Sequence, residues 1–339
     1  MSVERLKIPE PISGGIILSY RCNSRCKHCM YACSPRWKGD WMSEEDAGRI
    51  IEILARKLSK APPGLIGVNY GVHLTGGEPF LNFELLLKAT KMAEEAGLPF
   101  TFVETNCFWC RDDRTTREMF SELKAAGLDG VLISVNPFLV EYVPFERIKR
   151  AVRIAEEVFG GNVMVYQRLF YELFDRIGLK GTLSFEEYLR RIGRSSLAYM
   201  ELLPMGRAVY KLAHLFKGYP ASKFFGLSCR RELIRDWHIH IDNYCNFIPG
   251  YCGGISLGDA RELDKLCSEG IDLEEMPILK HLLTDLEGLY RLAADLGYEE
   301  REEGYISKCH LCLDIRRYLV RRGSFPELKP IEFYEHLDD

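Results

Sequence analysis

Between residue 14 and about residue 205, short apolar runs alternate with amphipathic helical stripes, and this alternation constrains the fold more than any other feature. Gly15-Ile16-Ile17-Leu18-Ser19-Tyr20 reads as a first buried strand. Ser43-Glu44-Glu45-Asp46 then supplies an N-cap and an acidic first turn. The helix behind it has an apolar face of Ile50, Ile51, Leu54 and Leu58 and is expected to run to about Lys60. Further strands are expected at Val68 to Leu74, Pro99 to Asn106, Gly130 to Asn136, Asn162 to Gln167 and Ala198 to Leu203. Helices are expected at Leu85 to Ala96, Thr116 to Ala126, Phe145 to Phe159 and Phe185 to Ile192. Six β/α units in series predict an α/β fold with a mostly parallel sheet and right-handed crossovers. With six units rather than eight, the barrel is expected to be incomplete, and its chemistry to lie on the loops at the C-terminal strand ends.

The first such loop holds Cys22, Cys26 and Cys29, spaced C-x3-C-x2-C. A loop this tight can bring three thiolates onto one iron–sulfur cluster and leave one iron open. A zinc knuckle using Cys22, Cys26, Cys29 and Cys33 has the right ligand count, and Cys29-x3-Cys33-Ser34-Pro35 loosely echoes a ferredoxin run. The chain has twelve cysteines, no apolar leader at Met1 to Glu10 and no run of about eighteen apolar residues. These features favour metal ligands over disulfides and predict a cytoplasmic protein with no membrane span. The formal net charge of −4 has no long basic block to offset it, so no nucleic-acid partner is expected.

A second strand end carries Thr75-Gly76-Gly77-Glu78-Pro79. Together the two motifs resemble the radical S-adenosylmethionine (radical SAM) enzymes, a resemblance that covers most of the chain. It implies a (β/α)6 partial TIM barrel in which Cys22, Cys26 and Cys29 hold a [4Fe–4S] cluster whose open iron chelates SAM. His28 fills the aromatic position before the third cysteine. Gly76, Gly77 and Glu78 are implied at the SAM amino group, and Ser134 and Asn136 at the ribose, with Gln167 a further candidate. The bland reading of Ser134 and Asn136 is that they cap the following turn. Thr105-Asn106-Cys107 occupies the place of a Thr-Asn-Gly stretch in related enzymes, and Cys107-x2-Cys110 reads as buried, inert thiols. Cys33 and Cys267 are read the same way.

After residue 220 the alternation stops. Cys229 precedes an alternating strand, Trp237 to Cys245, with an Asp242-Asn243 turn signal. A helix from about Ile278 to Leu296 follows, then Cys309-His310-Leu311-Cys312 and a basic helix from Asp314 to Arg322. This half resembles the Twitch domain, a shortened relative of the SPASM domain. The resemblance implies a small α+β domain with an auxiliary [4Fe–4S] cluster on Cys229, Cys245, Cys309 and Cys312. His240 stands where the family usually has glycine, five residues before Cys245, which leaves Cys252 as an alternative ligand. A four-thiolate zinc site is the competing reading. His214, His281, His238 and His240 read as structural.

The expected organisation is a barrel over residues 1–215, a Twitch-like domain over 216–325 and a C-terminal tail over 326–339. The expected function is reductive cleavage of SAM to a 5'-deoxyadenosyl radical that takes hydrogen from a substrate. The auxiliary cluster is expected to carry an electron during oxidation or bond formation. About fourteen residues precede the first strand, which favours a small-molecule substrate, or a peptide presented by another protein. An external low-potential donor, such as a ferredoxin or flavodoxin, is the expected electron source. The competing class is a non-catalytic iron–sulfur electron carrier that has kept the barrel.

Overall fold

The computed structural model describes residues 5–58 and 66–339, so the expected helix end at Lys60 lies outside the described residues. The chain forms two compact units, one of residues 11–26 and 33–201, the other of 1–10, 27–32 and 202–339.

The first unit is built on β1 (Ser13–Ile17), β2 (Gly71–Thr75), β3 (Thr101–Thr105), β4 (Gly130–Ser134) and β5 (Val163–Tyr166). They pair in parallel in chain order, with Ile17 opposite Thr75, Val103 opposite Val131 and Ile133 opposite Val165. Helices α1 (Glu44–Lys57), α2 (Phe83–Glu95), α3 (Asp113–Ala125) and α4 (Phe145–Phe159) make the crossovers. Their starts follow from local chemistry: Ser43, Asn82 and Asp112 each accept a backbone N–H of the first turn. Their inner faces are apolar, Ile50, Ile51 and Leu54 on α1 and Ile148, Val152 and Ala155 on α4, and burying them supplies most of the helix stability. The fold is thus the mixed α/β, partial-barrel class expected.

The ordered series stops one strand early. Where strand six was expected at Ala198 to Leu203, a 3-10 helix covers Arg194–Tyr199 and no ladder follows. Ser196 explains the local choice: its hydroxyl donates to Gly193 O (2.6 Å) and accepts from Tyr188 OH (2.7 Å), pinning a turn against the extended form. Tyr199 is 71% exposed, so this segment has no sheet neighbour to bury it. An additional helix, α5 (Arg168–Arg176), leaves β5 directly and buries Phe170 and Phe174, ahead of the expected α6 (Phe185–Ile192).

In the second unit, β6 (Ile239–Ile241) and β7 (Phe247–Ile248) form an antiparallel hairpin. Its turn is organised by Asp242, whose carboxylate accepts from the backbone of Tyr244 (3.0 Å) and Asn246 (2.9 Å). The single helix expected from Ile278 to Leu296 is two, α7 (Pro277–Thr284) and α8 (Leu286–Asp295). Asp285 breaks it: extended at φ −156°, it caps Glu287 N and also accepts from Gly226 N. The last long helix, α9 (Lys308–Leu319), begins six residues before the expected Asp314 because Ser307 caps His310 N. Cys309 and Cys312 therefore sit on its first turn, at the i, i+3 spacing that shares a face. Residues 326–339 are packed, with Glu327, Phe333, Tyr334 and Leu337 at most 1% exposed. No described helix is long and apolar enough to cross a membrane.

Candidate functional site

The loop leaving β1 is held in a fixed course by its own return. Cys22 N donates to Ser34 O, Ser34 N donates to Tyr20 O, and Tyr20 stacks on Trp37 at 4.4 Å. The Gly76-Gly77-Glu78 turn packs on the same loop, with Gly77 N donating to Ser19 O (2.8 Å) and Glu78 N to Arg21 O (3.0 Å). A Cβ on Gly77 would lie 2.0 Å from Arg21 O and 2.9 Å from Cys22 Cβ. One on Gly76, whose φ is +147°, would lie 2.4 Å from Ser19 O. The two glycines are thus required by the approach of the cysteine loop, a constraint separate from any ligand.

Glu78 is buried, and its carboxylate is occupied within the fold. Oε1 accepts from Thr105 Oγ1 (2.9 Å) and Phe80 N (3.2 Å), and Oε2 accepts from Asn106 N (2.7 Å). Glu78 therefore ties the end of β2 to the end of β3 and caps the short 3-10 helix at Pro79–Asn82. Burial pushes its carboxyl up to about 7 against the pull of these three donors. A carboxyl raised in the folded state contributes stability that is full below its ordinary value near 4.5 and is lost as pH rises through about 7. Relative to Glu78→Gln, wild type should lose on the order of 3 kcal/mol across that window in denaturant titrations. Glu78→Ala, which orphans three donors, should cost about 1–3 kcal/mol for each donor left buried. Parallel stability curves for wild type and Glu78→Gln from acid to neutral pH would rule this out.

Asn106 is the functional candidate that sequence reading passed over as mere resemblance. Its Nδ2 donates to Cys22 Sγ (3.7 Å) and to Asn23 Oδ1 (2.8 Å), and Ser24 N donates to the same sulfur at 3.4 Å. Two N–H donors on one sulfur favour the thiolate, the form that ligates iron, and orient it as outer-shell partners do. The only sequence signal was an amide side chain at a strand end. Cys26 and Cys29 are half-buried. In the second unit, Cys29 O accepts from Arg207 N (3.0 Å). His28 is pulled down to about 4 by burial, with Arg207 adding to it, so at neutral pH it is an uncharged aromatic ring.

The other strand-end candidates divide. Asn136 uses its Oδ1 to accept from Phe138 N and Leu139 N, both at 3.0 Å, which is the turn-capping role. Ser134 is half-buried at the end of β4. Gln167 carries a buried Oε1 with no partner among the described residues, as a residue awaiting a ligand donor would. Cys107 and Cys110 are wholly buried beside the Phe80–Trp109 stack (4.0 Å), and burial raises the Cys107 thiol well above its ordinary value, in keeping with inert packing. Cys33 is buried as well.

In the second unit, one pocket is lined by Cys229, Cys252, Cys309 and Cys312, together with Met205, Gly206 and Arg316. Three of the expected ligands, Cys229, Cys309 and Cys312, line it, and so does Cys252, the alternative to Cys245. Cys245 sits in the Asp242 turn at φ +61°, its N–H donating to Asp242 O and its carbonyl accepting from Ala260 N. The hairpin thus holds Cys245 by its backbone, and the chain leaving β7 carries Cys252 to the pocket. Burial pushes Cys252 up to about 11 and Cys309 up to about 12, each raised further by neighbouring thiols of the set. Thiols held in one pocket become metal-binding thiolates as a cation takes the place of their protons. Nearby, a Cβ on Gly206 would lie 2.6 Å from Cys29 O and one on Gly253 2.8 Å from Met30 O, so the backbone after the third barrel cysteine packs beside this pocket.

Residues 16–166 match the model of the Radical SAM superfamily. Among solved structures, the chain is similar to BtrN in complex with AdoMet and 2-DOIA, at 12% identity, covering 83% of this chain and 90% of that one, with a TM-score of 0.43. It is also similar to native anSMEcpe with bound AdoMet and Cp18Cys peptide, at 12% identity, covering 92% and 98%, with a TM-score of 0.44. No match was found among curated proteins.

Proposed function

We propose, from the match of residues 16–166 to the Radical SAM superfamily model, that this chain is a radical SAM enzyme that carries a [4Fe–4S] cluster and SAM and oxidises or cross-links a small-molecule or peptide substrate with the help of a second cluster. When bound, the barrel cluster and SAM supply a 5'-deoxyadenosyl radical, given an electron from an external low-potential donor of the ferredoxin or flavodoxin class. Cys22, Cys26 and Cys29 are the proposed barrel ligands, with Asn106 and the Ser24 backbone directing Cys22 through their N–H donors. Glu78 holds the Gly76-Gly77 turn against this loop through its bonds to β3. His28, Gly76, Gly77, Glu78, Ser134, Asn136 and Gln167 are the proposed SAM contacts.

The observation that carries the second cluster is the single pocket lined by Cys229, Cys252, Cys309 and Cys312. In this reading residues 216–325 form the auxiliary-cluster region. Hydrogen abstraction leaves a substrate radical. Loss of a proton and one electron from that radical would complete a two-electron oxidation; Cys229, Cys252, Cys309 and Cys312 would hold the group that supplies an electron acceptor there, with the external carrier as the final acceptor. The deciding experiment is release of 5'-deoxyadenosine and methionine from the reduced, iron-reconstituted chain.

Gln167 offers a separate check on SAM placement. Its orphaned oxygen makes no bond within the fold, so Gln167→Leu should weaken SAM binding by roughly two- to tenfold, one neutral hydrogen bond, without lowering stability. Cys267→Ala should leave the SAM dissociation constant unchanged. Equal dissociation constants in the two variants would remove Gln167 from the site.

A further inference from the structure

Arg316 lies on α9 one turn beyond Cys312 and lines the same pocket as the four thiols. It is 5% exposed, and among the described residues no carboxylate pairs with it. Its Nη1 donates to Gly253 O (3.0 Å) and to Tyr334 OH (2.9 Å), its guanidinium interacts electrostatically with the Cys312 and Cys252 thiols, and its Nε is buried without a partner. A buried guanidinium lacking a counter-charge is strongly unfavourable, so the structure implies that negative charge belongs in the pocket it faces. Lys308, the other cation beside these thiols, differs in being ion-paired with Glu232 (2.8 Å) and partly exposed. The C-terminal segment seats Arg316. Tyr334 OH donates to Gly254 O, and a Cβ on Gly254 would lie 2.3 Å from the Phe333 ring.

We propose that Arg316 is the built-in counter-cation of the auxiliary site, raising the reduction potential of the cluster there so that it accepts an electron. The inference rests on the four cysteines holding a [4Fe–4S] cluster. With four thiolates such a cluster passes from a net charge of 2− to 3− on one-electron reduction. A fixed cation in a water-poor pocket stabilises the trianion more than the dianion, because the interaction scales with the charge and is weakly screened. The electron comes from the deprotonated substrate radical of the proposed reaction. Arg316 touches a ligand and not substrate, so it is a positioning residue.

The test uses the full-length chain with Cys22, Cys26 and Cys29 replaced by Ala, so that only the auxiliary cluster is read. Iron and zinc counts with Mössbauer spectra come first, and zinc or no metal in this background would overturn the cluster reading itself. With the cluster present, EPR-monitored redox titration should show reduction at least tenfold less favourable in Arg316→Met, a shift of about −59 mV for one electron. Arg316→Lys, which keeps the charge, should stay near the parent, and Lys308→Met should shift less than Arg316→Met. Equal potentials for the parent and Arg316→Met would overturn the proposal. If Arg316→Met does not load iron, loading by Arg316→Lys alone supports a charge role, whereas failure of both variants assigns Arg316 to shape and overturns it.

Discussion

Replacing Cys22, Cys26 and Cys29 together by Ala should abolish 5'-deoxyadenosine release from the reduced, reconstituted chain and lower its iron content by about four per chain. The effect is expected to be total because three ligands leave one iron open to SAM, and without them no site remains to deliver an electron to the sulfonium. Cys22 is the best-prepared of the three, with Asn106 Nδ2 and Ser24 N both directed at its sulfur. Cys33→Ala is the informative control. Cys33 follows the motif by four residues and would complete a zinc knuckle, yet it is only 4% exposed, and its removal should leave release intact. Loss of a small buried thiol costs little compared with loss of a ligand. The auxiliary irons serve as an internal measure of folding in the triple variant. Release that survives the triple replacement would refute the barrel assignment, and release lost in Cys33→Ala would add Cys33 to the residues the cluster site needs.

Cys252→Ala should lower iron from about eight to about four per chain, while Cys245→Ala should leave it near eight. The two cysteines were nearly equivalent as sequence, each a second ligand after Cys229. The structure separates them: Cys252 lines the pocket with Cys229, Cys309 and Cys312, whereas Cys245 belongs to the Asp242 turn. Burial and the neighbouring thiols raise Cys229, Cys252 and Cys309, so a metal that ionises them contributes folding energy as well as chemistry. Cys252→Ala should therefore also lower thermal stability of the loaded protein more than Cys245→Ala does. The reverse order of iron loss would show that the hairpin rearranges on metal binding. A wild-type chain carrying four irons and one zinc would end the redox role while leaving the barrel chemistry in place.

Local sequence determined much of the first unit. The period-3.6 stripes gave α4 and α6 to the residue, because Phe145 and Phe185 begin apolar faces with clear boundaries. The glycines of Gly76-Gly77 and the spacing of Cys22, Cys26 and Cys29 pointed to one chemistry because they are local in sequence, and covalent proximity alone restricts where their atoms can go. Tertiary structure decided what depends on distant partners. Strand six is absent because Ser196 finds a turn and nothing covers Tyr199, which no window of sequence records. Glu78 reads as a ligand contact in isolation, and only when β3 brings Thr105 and Asn106 to it, 27 and 28 residues away, does its carboxylate gain a fold-holding role as well. Cys252 comes to line a pocket with Cys229, Cys309 and Cys312 for the same reason: which sulfurs converge across separations of roughly 80 residues is a property of packing rather than of spacing.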